Sequence, residues 1–148
     1  MTRRLVIVAP GMLALVGLLC ACGPMTRMWK GKVVEVRAGD TLTVLQGRRQ
    51  VLVRLHGVGT PGVRRPAGKS ARRMISRLVL GRQVKVREVR RDRRGRCYGE
   101  VRLGTLGLRE LLLYTGLGWQ IVQYDDSPAL RSLEREARRA RRGIWAGM

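Results

Sequence analysis

The apolar residues of this chain recur at about every second position between Val34 and Leu55 and at every third or fourth position over 67–79. That change of period leaves few folds open. In the first part, Val34 and Val36, Leu42 and Val44, and Val51, Val53 and Leu55 alternate with polar neighbours, as half-buried strands do. Ala38-Gly39-Asp40 and Gln46-Gly47-Arg48 supply turn residues between them, so three consecutive antiparallel strands are expected. A loop carrying Gly57, Gly59, Pro61, Gly62 and Pro66 ends this run. From Ala67 the residues Ala71, Met74, Ile75, Leu78 and Val79 share one helical face, with Arg72, Arg73 and Arg77 off it and Gly81 as the stop. Two more strands are predicted at about 84–89 and 97–103, joined by the turn Arg93-Arg94-Gly95-Arg96. A short helix at 108–114 and a last one from Pro128 to about Arg142 follow, the latter with Leu130, Leu133, Ala137 and Ala140 facing inward.

Three strands, a helix, two strands and two helices is the plan of an α+β fold, a five-stranded OB-fold barrel with three helices. At 148 residues there is room for one such domain, and no internal repeat is visible. The boundaries expected are a leader over 1–21, a tether over 22–30 and the barrel domain over 31–148. The leader begins with Arg3 and Arg4 and continues as an apolar run, 5–19, too short to cross a bilayer as a helix. It ends Leu19-Cys20-Ala21-Cys22-Gly23, which resembles the bacterial lipoprotein signal, with Cys22 as the residue that receives lipid. The placement this implies is an exported, membrane-anchored protein of the cell envelope. With Cys20 cleaved away and Cys22 lipidated, Cys97 has no disulfide partner and reads as a small buried residue of a strand.

Charge is the compositional outlier. Lys and Arg number 31 against 10 Asp and Glu, a formal net charge of +21. Arg3 and Arg4 are the only basic residues of the leader, so the excess belongs to the domain. Self-repulsion of this size favours a polyanionic partner, either nucleic acid or an anionic surface. The single histidine, His56, excludes a His-rich metal cluster and a two-His catalytic scheme.

Six short stretches, in order, resemble the thermonuclease (micrococcal-nuclease-like) family. They are Gly31-Lys32-Val33-Val34 with Gly39-Asp40-Thr41; Val53-Arg54-Leu55 leading to Thr60-Pro61; Pro66-Ala67-Gly68-Lys69-Ser70-Ala71 with Leu78-Val79-Leu80-Gly81; Asp92-Arg93-Arg94-Gly95-Arg96; Tyr114-Thr115-Gly116-Leu117-Gly118; and Ala137 through Gly143-Ile144-Trp145. The resemblance implies hydrolysis of DNA and RNA phosphodiesters with bound Ca²⁺. Carried over by position, it makes Arg54 and Arg96 the phosphate clamps and Asp40 a metal ligand. Thr60 becomes a backbone ligand to the metal, and Tyr124, with Arg93, a substrate contact.

The chain departs from that pattern where the chemistry needs acids. The family's second metal carboxylate is Gly59, and the carboxylate that orients water is Gly62. An acid next to Asp40 is replaced by Ala38, and no Asp or Glu occurs between Thr41 and Arg87. Asp40 alone is a poor site for Ca²⁺, which takes about 6–8 oxygens. The resulting expectation is a monomeric domain that binds single-stranded DNA or RNA through phosphates without sequence preference, with little or no calcium bound and hydrolysis weak or lost. Two alternatives stand beside it. One is an active metal-dependent nuclease that recruits Glu35, Asp92 or Glu100; the other is an envelope protein holding anionic lipid or polymer. For the leader, a Cys22→Ser chain is expected to lose the mass of the lipid and leave the membrane fraction, measured by intact-mass spectrometry and fractionation.

Overall fold

The computed structural model describes residues 26–148; the leader and Cys22 lie outside them. Strand β1 (Arg27–Ala38) turns through Gly39 and Asp40 into β2 (Thr41–Gln46), which pairs antiparallel with it. β2 in turn pairs antiparallel with β3 (Arg49–Leu55). The second hairpin has two loop residues, and Gly47 takes φ +63° at the first, where a side chain would be strained. A two-residue strand, β4 (Val58–Gly59), leads to helix α1 (Pro66–Val79). Strand β5 (Gln83–Arg91) lies along the free edge of β1, and β6 (Cys97–Leu103) pairs antiparallel with β5. The barrel closes by a short parallel pairing of β3 with β6, in which Val53, Arg54 and Leu55 face Cys97, Tyr98 and Gly99. The remaining elements are β7 (Leu106–Gly107), α2 (Leu108–Tyr114), β8 (Trp119–Gln120), α3 (Pro128–Arg139) and a 3₁₀ turn (Gly143–Trp145). The five long strands and three helices make the expected α+β OB-fold barrel. Strands β4 and β8 pair only with each other.

The inward residues of all five long strands join one core with Ala71, Ile75 and Val79 of α1 and Leu108, Leu112 and Leu113 of α2. Cys97 belongs to this core, and burial pushes its thiol up to about 12, so it packs as an apolar group. Among the described residues no helix is long and apolar enough to cross a membrane.

Three details differ from the sequence expectation. β1 begins at Arg27, so 27–30, expected as tether, pair with β5; the half-buried Trp29 packs on the core and donates its indole N–H to Glu88 at 3.3 Å. Val34 does not share a face with Val36. A bulge between Val33 and Glu35 turns Val33 inward and leaves Val34 exposed. Helix α3 stops at Arg139, because Arg141 takes φ +50° and ends the winding, and Ala140 is exposed.

One buried ion network joins β6, α2 and the loop after β8. The Arg109 guanidinium donates to Glu100 at 2.7 Å, to Asp125 at 2.7 Å and to the His56 carbonyl at 3.0 Å. Arg87 shares Glu100 from the β5 side. Burial alone would raise both carboxyls. For Glu100 the Arg87 hydrogen bond and Arg109 outweigh it, and for Asp125 the Arg109 hydrogen bond and the Ser127 amide do, so both lie below their ordinary values. A depressed carboxyl pKa contributes stability that is complete above the unfolded value, about 4, and is lost as pH falls through the folded value. The melting temperature is therefore expected to fall with acidification below about pH 4. Arg109→Met should cost about 3–5 kcal/mol near neutral pH and flatten that acid limb, read by thermal melts across pH.

Candidate functional site

The turn between β1 and β2 is where the site begins. Asp40 is buried there, and its backbone carbonyl accepts the Leu55 amide at 2.8 Å, which ties the turn to the end of β3. One carboxylate oxygen accepts the Thr41 hydroxyl at 2.9 Å and the other lies 3.7 Å from the Arg54 guanidinium, which remains half exposed. Gly39 is set by close approach: a Cβ there would lie 2.7 Å from Ala71 of α1 and 3.0 Å from the Thr60 methyl. Gly68 makes the matching approach, with Gly62 and Pro61 carbonyls at 2.1 and 2.6 Å from its would-be Cβ. Two glycines thus let α1 settle onto both loops and bring Asp40, Thr60 and Arg54 together. The Thr60 hydroxyl is buried with no hydrogen-bond partner among the described residues.

Beside this group lies a cleft of about 180 Å³ between the end of β3 and the loop after β8. Arg54, His56, Arg90, Tyr98 and Tyr124 line it, with the Arg90 guanidinium 4.1 Å above the Tyr98 ring. His56 Nε2 donates to the Tyr124 carbonyl at 2.9 Å and, with the Arg109–Asp125 pair, holds the tyrosine loop against the barrel. Tyr124 itself is exposed. Arg96 precedes β6, two residues before the cleft residue Tyr98, and is not itself part of the cleft lining. Its guanidinium meets Asp92 at 2.6 Å, and the Arg94 and Arg96 amides both bond the other Asp92 oxygen at 3.0 Å. Burial would raise the Asp92 carboxyl, but these donors hold it below its ordinary value, and it raises Arg96 in return. Arg93 is exposed on the same turn with no ion-pair or hydrogen-bond partner among the described residues. Sequence reasoning passed over Tyr98, Arg90 and His56 as cleft residues, because only the parallel β3–β6 register sets Tyr98 beside Arg54.

The acid chemistry is sparse. Each of the ten carboxylate side chains lies within ion-pair distance of an arginine, Asp40 with Arg54 included. Glu35 is held by Arg37 and the Thr43 hydroxyl, Asp92 by Arg96, and Glu100 by Arg87 and Arg109. Among the described residues no group of three or more His, Cys, Asp or Glu gathers where a metal ion would bind. One carboxylate already engaged by Thr41 and Arg54, with Thr60 against the same turn, falls well short of the oxygen set that Ca²⁺ takes, so the donors present do not fit that ion.

Gly59 and Gly62 differ from one another. Neither has a left-handed φ. A side chain at Gly62 would meet nothing within 4 Å, whereas a Cβ at Gly59 would lie 3.0 Å from the indole of Trp119, its partner across β4 and β8.

The barrel, the arginine–aspartate pair at the β1–β2 turn and the aromatic cleft define an OB-fold domain of nuclease type. The family model described as Staphylococcal nuclease homologue matches residues 52–147. An Escherichia coli O157:H7 protein named "Uncharacterized endonuclease" is 34% identical over 78% of this chain and 76% of its own length. The staphylococcal-like nuclease CAN1 of Arabidopsis thaliana is 37% identical over 64% of this chain and 29% of its own. Protein ParB of Escherichia coli is 29% identical over 90% and 81%. The chain belongs to the staphylococcal nuclease (thermonuclease) family.

The two glycines should respond differently to substitution. Gly62→Ala is expected to change stability by no more than about 0.5 kcal/mol. Gly59→Ala should cost more, and truncating Trp119 to Ala in the same chain should remove most of the difference, a coupling that thermal melts of the four-member cycle measure.

Proposed function

We propose that the domain binds single-stranded DNA or RNA through its phosphates and hydrolyses them weakly or not at all, acting as an exported monomer anchored through lipid on Cys22. The observation that carries the reading is the absence of a free carboxylate at the site: Gly59 and Gly62 stand at the positions of the family's acids, and all ten carboxylates are paired with arginines. Phosphodiester hydrolysis needs a group that positions water, and acid–base help of that kind is worth about 10²–10⁴-fold in rate. The groups that remain, Arg54 and Arg96, are guanidinium donors suited to phosphate oxygens. Phosphate at either one shares the cation with Asp40 or Asp92, which favours exchangeable, sequence-independent contacts. The net charge of +21 acts in the same direction. The nuclease names of its relatives support nucleic acid as the partner and are the reason cleavage is assayed directly.

The test is binding and cleavage by the purified domain. Affinity for a single strand is expected to fall steeply with salt, and Arg54→Ala or Arg96→Ala should each lower the log–log salt slope by about 0.7. Cleavage with Ca²⁺ should stay near background and rise in a Gly59→Asp, Gly62→Glu chain. Hydrolysis by the native domain at ordinary nuclease rates, removed by chelator and indifferent to Arg96→Ala, would overturn the reading.

A further inference from the structure

The indole of Trp119 belongs to no part of the site described so far, yet it lies against it. Its ring lies against Gly59, with three ring atoms 3.0–3.1 Å from where a Cβ would stand, and only glycine at 59 lets the ring lie this close. The residue is nevertheless 37% exposed, a large open area for an aromatic beside a core. It borders an open groove of about 880 Å³, on whose walls stand Gly62, Arg65, Pro66, Ile144 and Trp145.

Three features of this groove specify a ligand. Among the described residues its walls are apolar and aromatic, Met148 included, and the charged side chain on them is a cation, Arg65. Arg65 is exposed, as is Arg64 next to it in the chain, and neither pairs with a carboxylate among the described residues. Finally, the groove and the Arg54 cleft are neighbours along the backbone. Val58 lines the cleft and Pro61 the groove, so the connecting backbone is no longer than about 10 Å. A flat π surface with an unpaired guanidinium group on the same wall suits a planar, uncharged ring linked to a phosphate. An apolar peptide would leave the cations unanswered.

We propose that this groove is a second subsite for single-stranded nucleic acid, in which a base stacks on the Trp119 indole and Arg65 contacts an adjoining phosphate. The proposal rests on the nucleic-acid reading above and adds to it a base-dependent contribution that phosphate clamps cannot supply.

The experiment uses the full chain in chelator, so that no cleavage intervenes. It compares labelled oligothymidylate with an abasic deoxyribose-phosphate oligomer of equal length, by fluorescence anisotropy. The native protein should bind oligothymidylate more tightly than the abasic strand. Trp119→Leu should weaken oligothymidylate by about 5- to 150-fold, the range expected for losing one stacked base, and leave the abasic strand nearly unchanged. Trp119→Phe keeps a stacking ring and should recover much of the loss, which separates stacking from a folding defect in the Leu variant. Arg65→Ala should weaken both strands alike. Equal affinity of native and Trp119→Leu chains for oligothymidylate would overturn the subsite while leaving phosphate binding intact. Failure of the native chain to bind either strand would overturn the nucleic-acid reading as well. Trp119 emission that responds to phosphatidylglycerol vesicles and not to oligothymidylate would overturn it in favour of an anionic lipid.

Discussion

Three residue pairs between β3 and β6 hold the candidate site in being, for it is their parallel register that closes the barrel and sets Arg54 beside Tyr98. Strand side chains alternate, so a slip of one residue would turn Tyr98 and Arg54 to opposite faces and push Cys97 out of the core. Two features hold the register. Val53, Leu55 and Cys97 are fully or almost fully buried, and the His56 amide continues the pairing by donating to the Gly99 carbonyl at 2.9 Å. Gly99 is glycine because a Cβ there would lie 2.5 Å from the Arg87 carbonyl, where β5 is bulged between Glu88 and Arg90. The bulge exposes Val89, and Arg90 on its far side extends over Tyr98.

Electrostatics divides the molecule. Every carboxylate is spent on an arginine, and the strongest of these pairings, around Arg109, fastens the tyrosine loop to the barrel rather than serving chemistry. Of the described cations outside these pairs, Arg64, Arg65, Lys69, Arg72, Arg73 and Arg77 lie on α1 and the loop before it, in a stretch of sequence without acids. Such a surface is relieved by a polyanion and by little else. Near it, Gly39 and Gly68 let α1 approach the turn that carries Asp40 and the loop that carries Thr60, and residues 59 and 62 are glycine where the family resemblance implies acids. Where those acids would stand, one position is roofed by an indole and the other opens to solvent. This difference, invisible in a one-letter comparison of two glycines, is the ground for the proposed subsite beside Trp119.

Much of the fold was legible in the residues, and the reason is local. Period-two and period-three-to-four patterns follow from backbone geometry, so the five strands, the face of α1 and the span of α2 could be read directly. The misreadings fell where a long-range partner overrides the local pattern. Trp29 makes 27–30 strand because its indole has the core and Glu88 to meet, and Val34 leaves its expected face because a bulge is decided by both strands at once. Of the site residues, Asp40 and Arg54 do meet, and Thr60 lies against the same turn, while Arg96 stands off on its own Asp92-braced turn.

By itself, then, the chain's sequence determined the five long strands and the helices that pack on them, the excess of cations and the glycines at 59 and 62, because each is a property of composition or of spacing within one segment. Only the tertiary structure decided that Tyr98, Arg90 and His56 share a cleft with Arg54, and that all ten carboxylates are taken. It alone decided that Trp119 covers Gly59 but not Gly62. Those facts depend on which strands lie side by side and how closely α1 approaches the loops. Such contacts are made between segments far apart in the chain, and their register is set by packing that no single segment contains.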